Sequence, residues 1–421
     1  MHHKTILPNG LRVVTQKLES TKAVTVLILV KAGSRCETQK IRGISHFLEH
    51  MFFKGADKYP DTKSVSEAID SVGGEFNAFT GKEYVGYYVK VASQHRGIAM
   101  DVLSDMLLHS KHDPVEIDKE RGVIMEEYNM YQDTPMYQVG WDFEKLIFGD
   151  QPLGWDQIGL KDVIMGVTRD DFLAYQNELY RSDNIVIAVA GDVEHEEVVK
   201  EVEKLFPMEK KETTFEWLGL KSNEATDRVI LQNKKTEQGH VVIGFPAYAE
   251  HSGGHFAVKL LAIILGGNMS SRMFLGVREA KGLSYYIQTS TDDYTDTGIL
   301  STRAGVDLNR VDMAVEAIVE QYKLLRDEGI TEAELQKAKD YLKGKMVLKL
   351  EDSEEMAHLL AKHEVLYGEV LTEEEIAAKV DVVTVSEVEC IARDLFQEDR
   401  LYLAGIGPWE EKERFAKLLK F

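Results

Sequence analysis

Three side chains able to hold and use a metal ion stand at helical spacing within residues 43–53, GISHFLEHMFF. His46, Glu49 and His50 form the pattern H-x-x-E-H. Positions i, i+3 and i+4 of an α-helix share one face, so the two imidazoles converge on a point with the carboxylate beside them. Phe47, Leu48, Met51 and Phe52 surround the three, which predicts a largely buried helix carrying a polar cluster. Such a cluster is costly in an apolar setting unless something satisfies it, and a Zn²⁺ ion bound through imidazole nitrogens does so. Two histidines one turn apart also occur as hydrogen-bonded core residues, so a third ligand has to decide between the two readings. Residues 116–131, EIDKERGVIMEEYNMY, predict a second helix with Glu120 and Glu127 two turns apart on one face. Glu126 is the rival to Glu127, but it points about 100° away and leaves the face shared with Glu120.

With these residues in place the chain resembles the inverzincin metallopeptidases of the pitrilysin and insulinase class, whose zinc-protease motif runs in inverted order. The resemblance implies one zinc per chain, held by His46, His50 and Glu127, with Glu49 as catalytic base and Glu120 supporting the site from outside the ligand set. It extends over nearly the whole chain, from PNGLRVV through HFLEHMFFKG and ERGVIMEE to VREAKGLSY. Size and layout look like the short bacterial processing-protease branch, related to the β subunit of mitochondrial processing peptidase. That branch implies a homodimer enclosing a chamber, or a heterodimer in which site features are divided between subunits. Active members carry an arginine and a tyrosine seven residues apart that meet the substrate backbone and the reacting carbonyl. Arg278 and Tyr285 have that spacing, and Tyr285 is preferred to Tyr286 on the resemblance alone. The family also presents an Asn-Ala pair on an edge strand beside the zinc, which Phe76, Asn77 and Ala78 match. On the residues alone, Asn77 reads equally as part of an ordinary hairpin. One departure is Gln151 in GDQPLG, where many relatives have histidine.

The elements that must position these groups follow from pattern. Residues 11–18 and 23–32 predict two strands, the second apolar on both faces and therefore inside a sheet. Val65–Val72 predicts a short helix ended by Gly73-Gly74, and EFNAFTGKEYVGYYVKVA predicts two strands about a turn at Thr80-Gly81. Helices are expected from about 95 to 180, then a buried strand at 184–191 and a terminal helix at 195–206. The stretch from Pro207 to Ser222 lacks apolar periodicity and reads as a linker. The second half repeats the first. An offset of 216 places Arg12-Val13-Val14 on Arg228-Val229-Ile230, Val167-Thr168 on Val383-Thr384 and Gly191 on Gly407. Thr168 with Asp171 and Thr384 with Glu387 have capping-box spacing. The expectation is an α+β protein of two duplicated domains, each a mostly antiparallel sheet packed with helices. The expected boundaries are 1–208 for the zinc-binding domain, 209–222 for the linker and 223–421 for the homologous second domain. Under the same offset His46, Glu49, His50 and Glu127 fall on Ala262, Leu265, Gly266 and Lys343, so only the first half carries the cluster.

At 421 residues the chain exceeds what one core organises. The excess of 71 acidic over 50 basic residues, a formal charge of −21, argues against nucleic acid and favours basic or neutral peptides. Cys36 and Cys390, the two cysteines, suggest no disulfide scaffold; one bond between them stays open, and a reducing compartment is the expected setting. No targeting segment and no apolar run of membrane-spanning length are visible, so a cytoplasmic protein without membrane association is expected. Function therefore reads as zinc endopeptidase acting on unfolded peptides or processing segments. The alternative is a non-catalytic peptide-binding or assembly subunit, whose mark would be a broken H-x-x-E-H or a missing downstream glutamate, and neither is seen.

Overall fold

The computed structural model describes residues 2–221, 223 and 227–421. They form two compact units, each built on one sheet. In the first, β1 (His3–Ile6), β2 (Arg12–Lys17), β3 (Ala23–Val30), β4 (Glu75–Thr80), β5 (Val85–Ala92) and β6 (Ile185–Gly191) lie in the order β1-β2-β6-β3-β5-β4. Only β2 and β6 run parallel. In the second, β7 (Val229–Asn233), β8 (Gly239–Ala247), β9 (Ser284–Asp293), β10 (Gly298–Val306) and β11 (Tyr402–Gly407) lie in the order β7-β11-β8-β10-β9. Here only β7 and β11 are parallel. Apart from β1, which the sequence pattern did not predict, the two orders are the same. The duplication inferred from the 216-residue offset is thus a duplication of topology.

Both threonine caps form as the spacing predicts. The Thr168 side chain accepts from the Asp171 amide in a capping box that opens helix Arg169–Leu179. Thr384 accepts from the Glu387 amide at the start of helix Val385–Leu395. Each helix is followed by the buried central strand that the apolar runs announce, β6 and β11.

The units do not coincide with the continuous stretches 1–208 and 223–421. The first comprises 1–129, 156–218 and 346–373, the second 130–155, 219–345 and 374–421. The physical reason lies in strands buried on both faces. All of β6 and nearly all of β3 are excluded from solvent, so each sheet needs a helical layer on either side. One layer of the first sheet includes helix Arg96–His109, packed on β3 and β5. The other comes from the far end of the sequence: helix Ser353–Tyr367 lies across β2, β3 and β6. Its Met356, Ala357, Leu360, Ala361 and Val365 form one cluster with Val14, Leu27, Leu29, Val186 and Ala188. Polar contacts fix its register. Ser353 and Thr25 share a buried hydroxyl bond of 2.8 Å, and the fully buried Glu364 carboxylate lies 2.7 Å from Lys4 Nζ. The second unit is completed reciprocally by helix Pro135–Phe148, whose Val139, Phe143 and Ile147 pack with Val242, Ala404 and Ile406. Residues 209–221 carry neither helix nor strand. Among the described residues no helix is long and apolar enough to cross a membrane, and Cys36 and Cys390 are both free thiols.

Candidate metal centre

Helix Ile44–Phe52 begins at Gly43, whose φ of 97° and close approach to Ile158 suit only glycine: a Cβ there would meet the Ile158 carbonyl oxygen at 2.7 Å. Gly43 has no side chain to cap the helix, and the buried carboxylate of Glu37 does so instead. Glu37 accepts the Gly43 amide at 2.7 Å and the Ser45 amide at 2.9 Å. The helix turns Ile44, Phe47, Leu48, Met51 and Phe52 into the core, where Phe47 meets Phe172 and Phe52 meets Tyr87 edge to face. That burial leaves His46, Glu49 and His50 on the remaining face, as their spacing predicts.

Helix Pro114–Gln132 brings Glu127 to this face and leaves Glu126 exposed. Glu127 Oε2 lies 3.5 Å from His46 Nε2 and 3.4 Å from His50 Nε2, and the two rings stand 4.7 Å apart. Glu120, one of the few buried acids, accepts His50 Nδ1 at 2.9 Å through Oε1. Its Oε2 lies 2.5 Å from Lys54 Nζ. His46 Nδ1 is buried and has no hydrogen-bond partner among the described residues. Thr80 Oγ1, at the end of β4, donates to Glu49 Oε2 at 2.5 Å. Burial raises the Glu49 pKa, opposed by His46 and by the Thr80 hydroxyl. Burial lowers that of His50, but its bonds to Glu120 and Glu127 outweigh this and push it up to about 9. Burial likewise raises Glu127, and the two histidines overcome it and hold the carboxylate well below its usual range. The cluster is thus a site built to gather positive charge. The sequence pattern marks Thr80 only as part of a turn and gives Lys54 no role. Lys54 lies one turn beyond His50, a spacing that hints at a shared face; Thr80 gives no local signal of its bond to Glu49.

The donor set fits zinc. Bonds of about 2.0–2.2 Å in a tetrahedron set neighbouring ligand atoms about 3.4 Å apart, close to the two spacings observed between Glu127 and the histidines. A second trio, Glu250, His255 and Asp293 in the other unit, is also compact enough for an ion. There Lys259 Nζ lies 2.8 Å from Asp293 Oδ2 and already supplies the positive charge.

Phe76, Asn77 and Ala78 lie on β4, the edge strand of the first sheet, as expected. Phe76 packs on Phe53 and Asn77 accepts the amide of Ala78. In the second unit Arg278 sits in a π-helical turn, Phe274–Glu279, with its guanidinium over the Phe274 ring. Tyr285 is 74% exposed. Tyr286 instead lies against Gly305 and bonds His240 Nδ1 at 3.0 Å, so the strand alternation leaves Tyr285 as the outward hydroxyl. Gln151 bonds the Lys221 backbone through both amide atoms, a structural pin rather than a reactive group.

Comparison with known proteins adds the lineage. Residues 12–149 match the model of insulinase, peptidase family M16, and residues 166–342 that of the peptidase M16 inactive domain. The chain belongs to peptidase family M16. An uncharacterized zinc protease of Bacillus subtilis is 36% identical over 400 residues, covering 95% of this chain and 97% of the relative. One from Streptomyces coelicolor is 36% identical over 416 residues, covering 97% and 90%. Among solved structures, a protease from Helicobacter pylori superposes with a TM-score of 0.90 at 23% identity, covering 97% of this chain and 99% of that one. A chain of complex III from Candida albicans superposes with a TM-score of 0.87 at 17% identity, over the full length of both. At these identities the two structures show the fold alone, in agreement with the two-sheet topology above.

Proposed function

We propose that this chain is a zinc endopeptidase that hydrolyses unfolded peptides or processing segments. The observation that carries the reading is the convergence of His46, His50 and Glu127 on one point with Glu49 on the same helical face. His46 Nε2, His50 Nε2 and a Glu127 oxygen would hold one zinc per chain. When bound, zinc supplies Lewis acidity toward a water molecule and the scissile carbonyl. Glu49 takes the proton of the attacking water as the C–O bond forms, then delivers it to the amine nitrogen as the C–N bond breaks. Thr80 engages Oε2 of that carboxylate and leaves Oε1 for the proton. Glu120 holds the proton on His50 Nδ1 and so keeps Nε2 as the ligand atom. The open edge of β4 at Phe76, Asn77 and Ala78 receives the substrate as an added strand, giving affinity that depends little on its side chains. Arg278 and Tyr285 are assigned to the substrate backbone and the developing oxyanion. The charge of −21 favours basic peptides, and a homodimer is the expected working form.

The test is metal removal and return with a quenched basic peptide as substrate. Chelation abolishes cleavage, and about one equivalent of zinc per chain restores it. A protein that holds zinc in this way and cleaves no peptide, alone or with a partner chain, is instead a peptide-binding subunit.

A further inference from the structure

The two histidines are not braced alike. Among the described residues His46 Nδ1 meets no partner, whereas His50 Nδ1 is the first link of a chain that runs through Glu120 to Lys54. Glu120 has each carboxylate oxygen engaged by a different group, Oε1 by His50 at 2.9 Å and Oε2 by Lys54 at 2.5 Å. A carboxylate held at one oxygen rotates about its terminal torsion, and one held at both does not. Lys54 is itself delivered by a backbone feature. Its amide bonds the Met51 carbonyl at 3.1 Å, which extends the helical path past Phe52, and the next residue, Gly55, turns the chain at φ 124°. A Cβ at Gly55 would lie 2.3 Å from the Pro60 carbonyl oxygen, so the turn fixes where the lysine stem starts.

We propose that Lys54 is a positioning residue for the metal centre: by clamping the second oxygen of Glu120, it fixes the proton on His50 Nδ1 and the direction of His50 Nε2. The inference rests on the zinc reading above and adds to it a residue that touches neither metal nor substrate. Because the brace acts on one histidine only, it is the sole outer support visible for the two imidazoles among the described residues. Its loss loosens one of three ligands and weakens binding without removing a donor.

The experiment is a competitive zinc titration against a chromophoric chelator. It compares wild type, Lys54→Met, Lys54→Arg, Glu120→Ala and the double variant Lys54→Met/Glu120→Ala. Metal-free thermal melts control for folding. Lys54→Met is expected to weaken zinc binding roughly tenfold, at the lower end of the ~10–100-fold range for outer partners of a ligand. Lys54→Arg recovers most of that loss, and Lys54→Met has no further effect once Glu120 is alanine. A merely structural role predicts the same loss in both backgrounds, and that result overturns the proposal, as does a Lys54→Met affinity within about twofold of wild type. If Lys54→Met does not fold, Lys54→Gln takes its place, with the same two criteria. Failure of the wild type to bind zinc is a different result: it refutes the zinc reading itself.

Discussion

Replacing Glu37 with glutamine tests how helix Ile44–Phe52 is anchored. The Glu37 carboxylate is buried and accepts two backbone amides at the start of helix Ile44–Phe52, where the helix dipole also favours an anion. Burial nevertheless dominates and, with Asp156 nearby, raises its pKa from the ordinary 4.5 to about 7 against the pull of the Gly43 and Ser45 bonds. A group whose folded pKa exceeds its unfolded value binds protons more tightly in the folded state. Its contribution to stability is therefore greatest in acid and is lost as the pH rises from the unfolded pKa through the folded one. With these two values the loss between pH 5.5 and pH 8 comes to about 2 kcal/mol. Glutamine is neutral throughout and keeps one acceptor. The opening free energy of residues 44–52, measured by amide hydrogen exchange in both proteins at both pH values, should shift by that amount in favour of Glu37→Gln on going to pH 8. Other titrating groups cancel in the difference. A difference that stays constant within about 0.5 kcal/mol, or that moves the other way, refutes the reasoning. Movement the other way would mean that the two amide bonds outweigh burial.

Thr80→Val removes the hydroxyl from Glu49 and should lower kcat roughly tenfold, about 1.4 kcal/mol, with zinc affinity unchanged and Thr80→Ser restoring activity. Tyr285→Phe should slow peptide cleavage on the order of 100-fold if its hydroxyl meets the oxyanion, while Tyr286→Phe loses its His240 bond and leaves kcat near wild type. Leu360→Ala empties a buried site in the helix that closes the first sheet and should cost about 2–5 kcal/mol in denaturant melts, with the zinc ligands intact.

The helix that carries His46, Glu49 and His50 is legible because these three obey a local period and their apolar neighbours obey the complementary one. Glu127 was legible because helical geometry separates it from Glu126 by face. The buried strands β3 and β6 were also clear, since apolar residues on successive positions demand cover on both sides. What covers them was not clear. Helix Ser353–Tyr367 shows an apolar stripe at Met356, Leu360 and Ala361, and a stripe says that a helix packs without saying on which sheet. The domain boundaries drawn at 208 and 223 missed the exchange of helices for that reason. The pattern gives Lys54 and Thr80 no place in the site because each acts through one hydrogen bond set by tertiary approach, Thr80 from the end of β4 to helix Ile44–Phe52 and Lys54 from just beyond that helix to helix Pro114–Gln132. Glu37 is missed for a similar reason: it caps a helix that starts seven residues later, beyond the reach of any capping box.

The central claim is that Glu49 is the proton carrier of a zinc-loaded site, and Glu49→Gln beside wild type tests it most directly. Zinc content and cleavage of a quenched basic peptide are measured on both proteins. The account predicts about one zinc per chain in each and cleavage by wild type alone, since glutamine preserves the helix and the ligands but carries no proton. Equal cleavage by the two proteins, or absence of zinc from both, contradicts it.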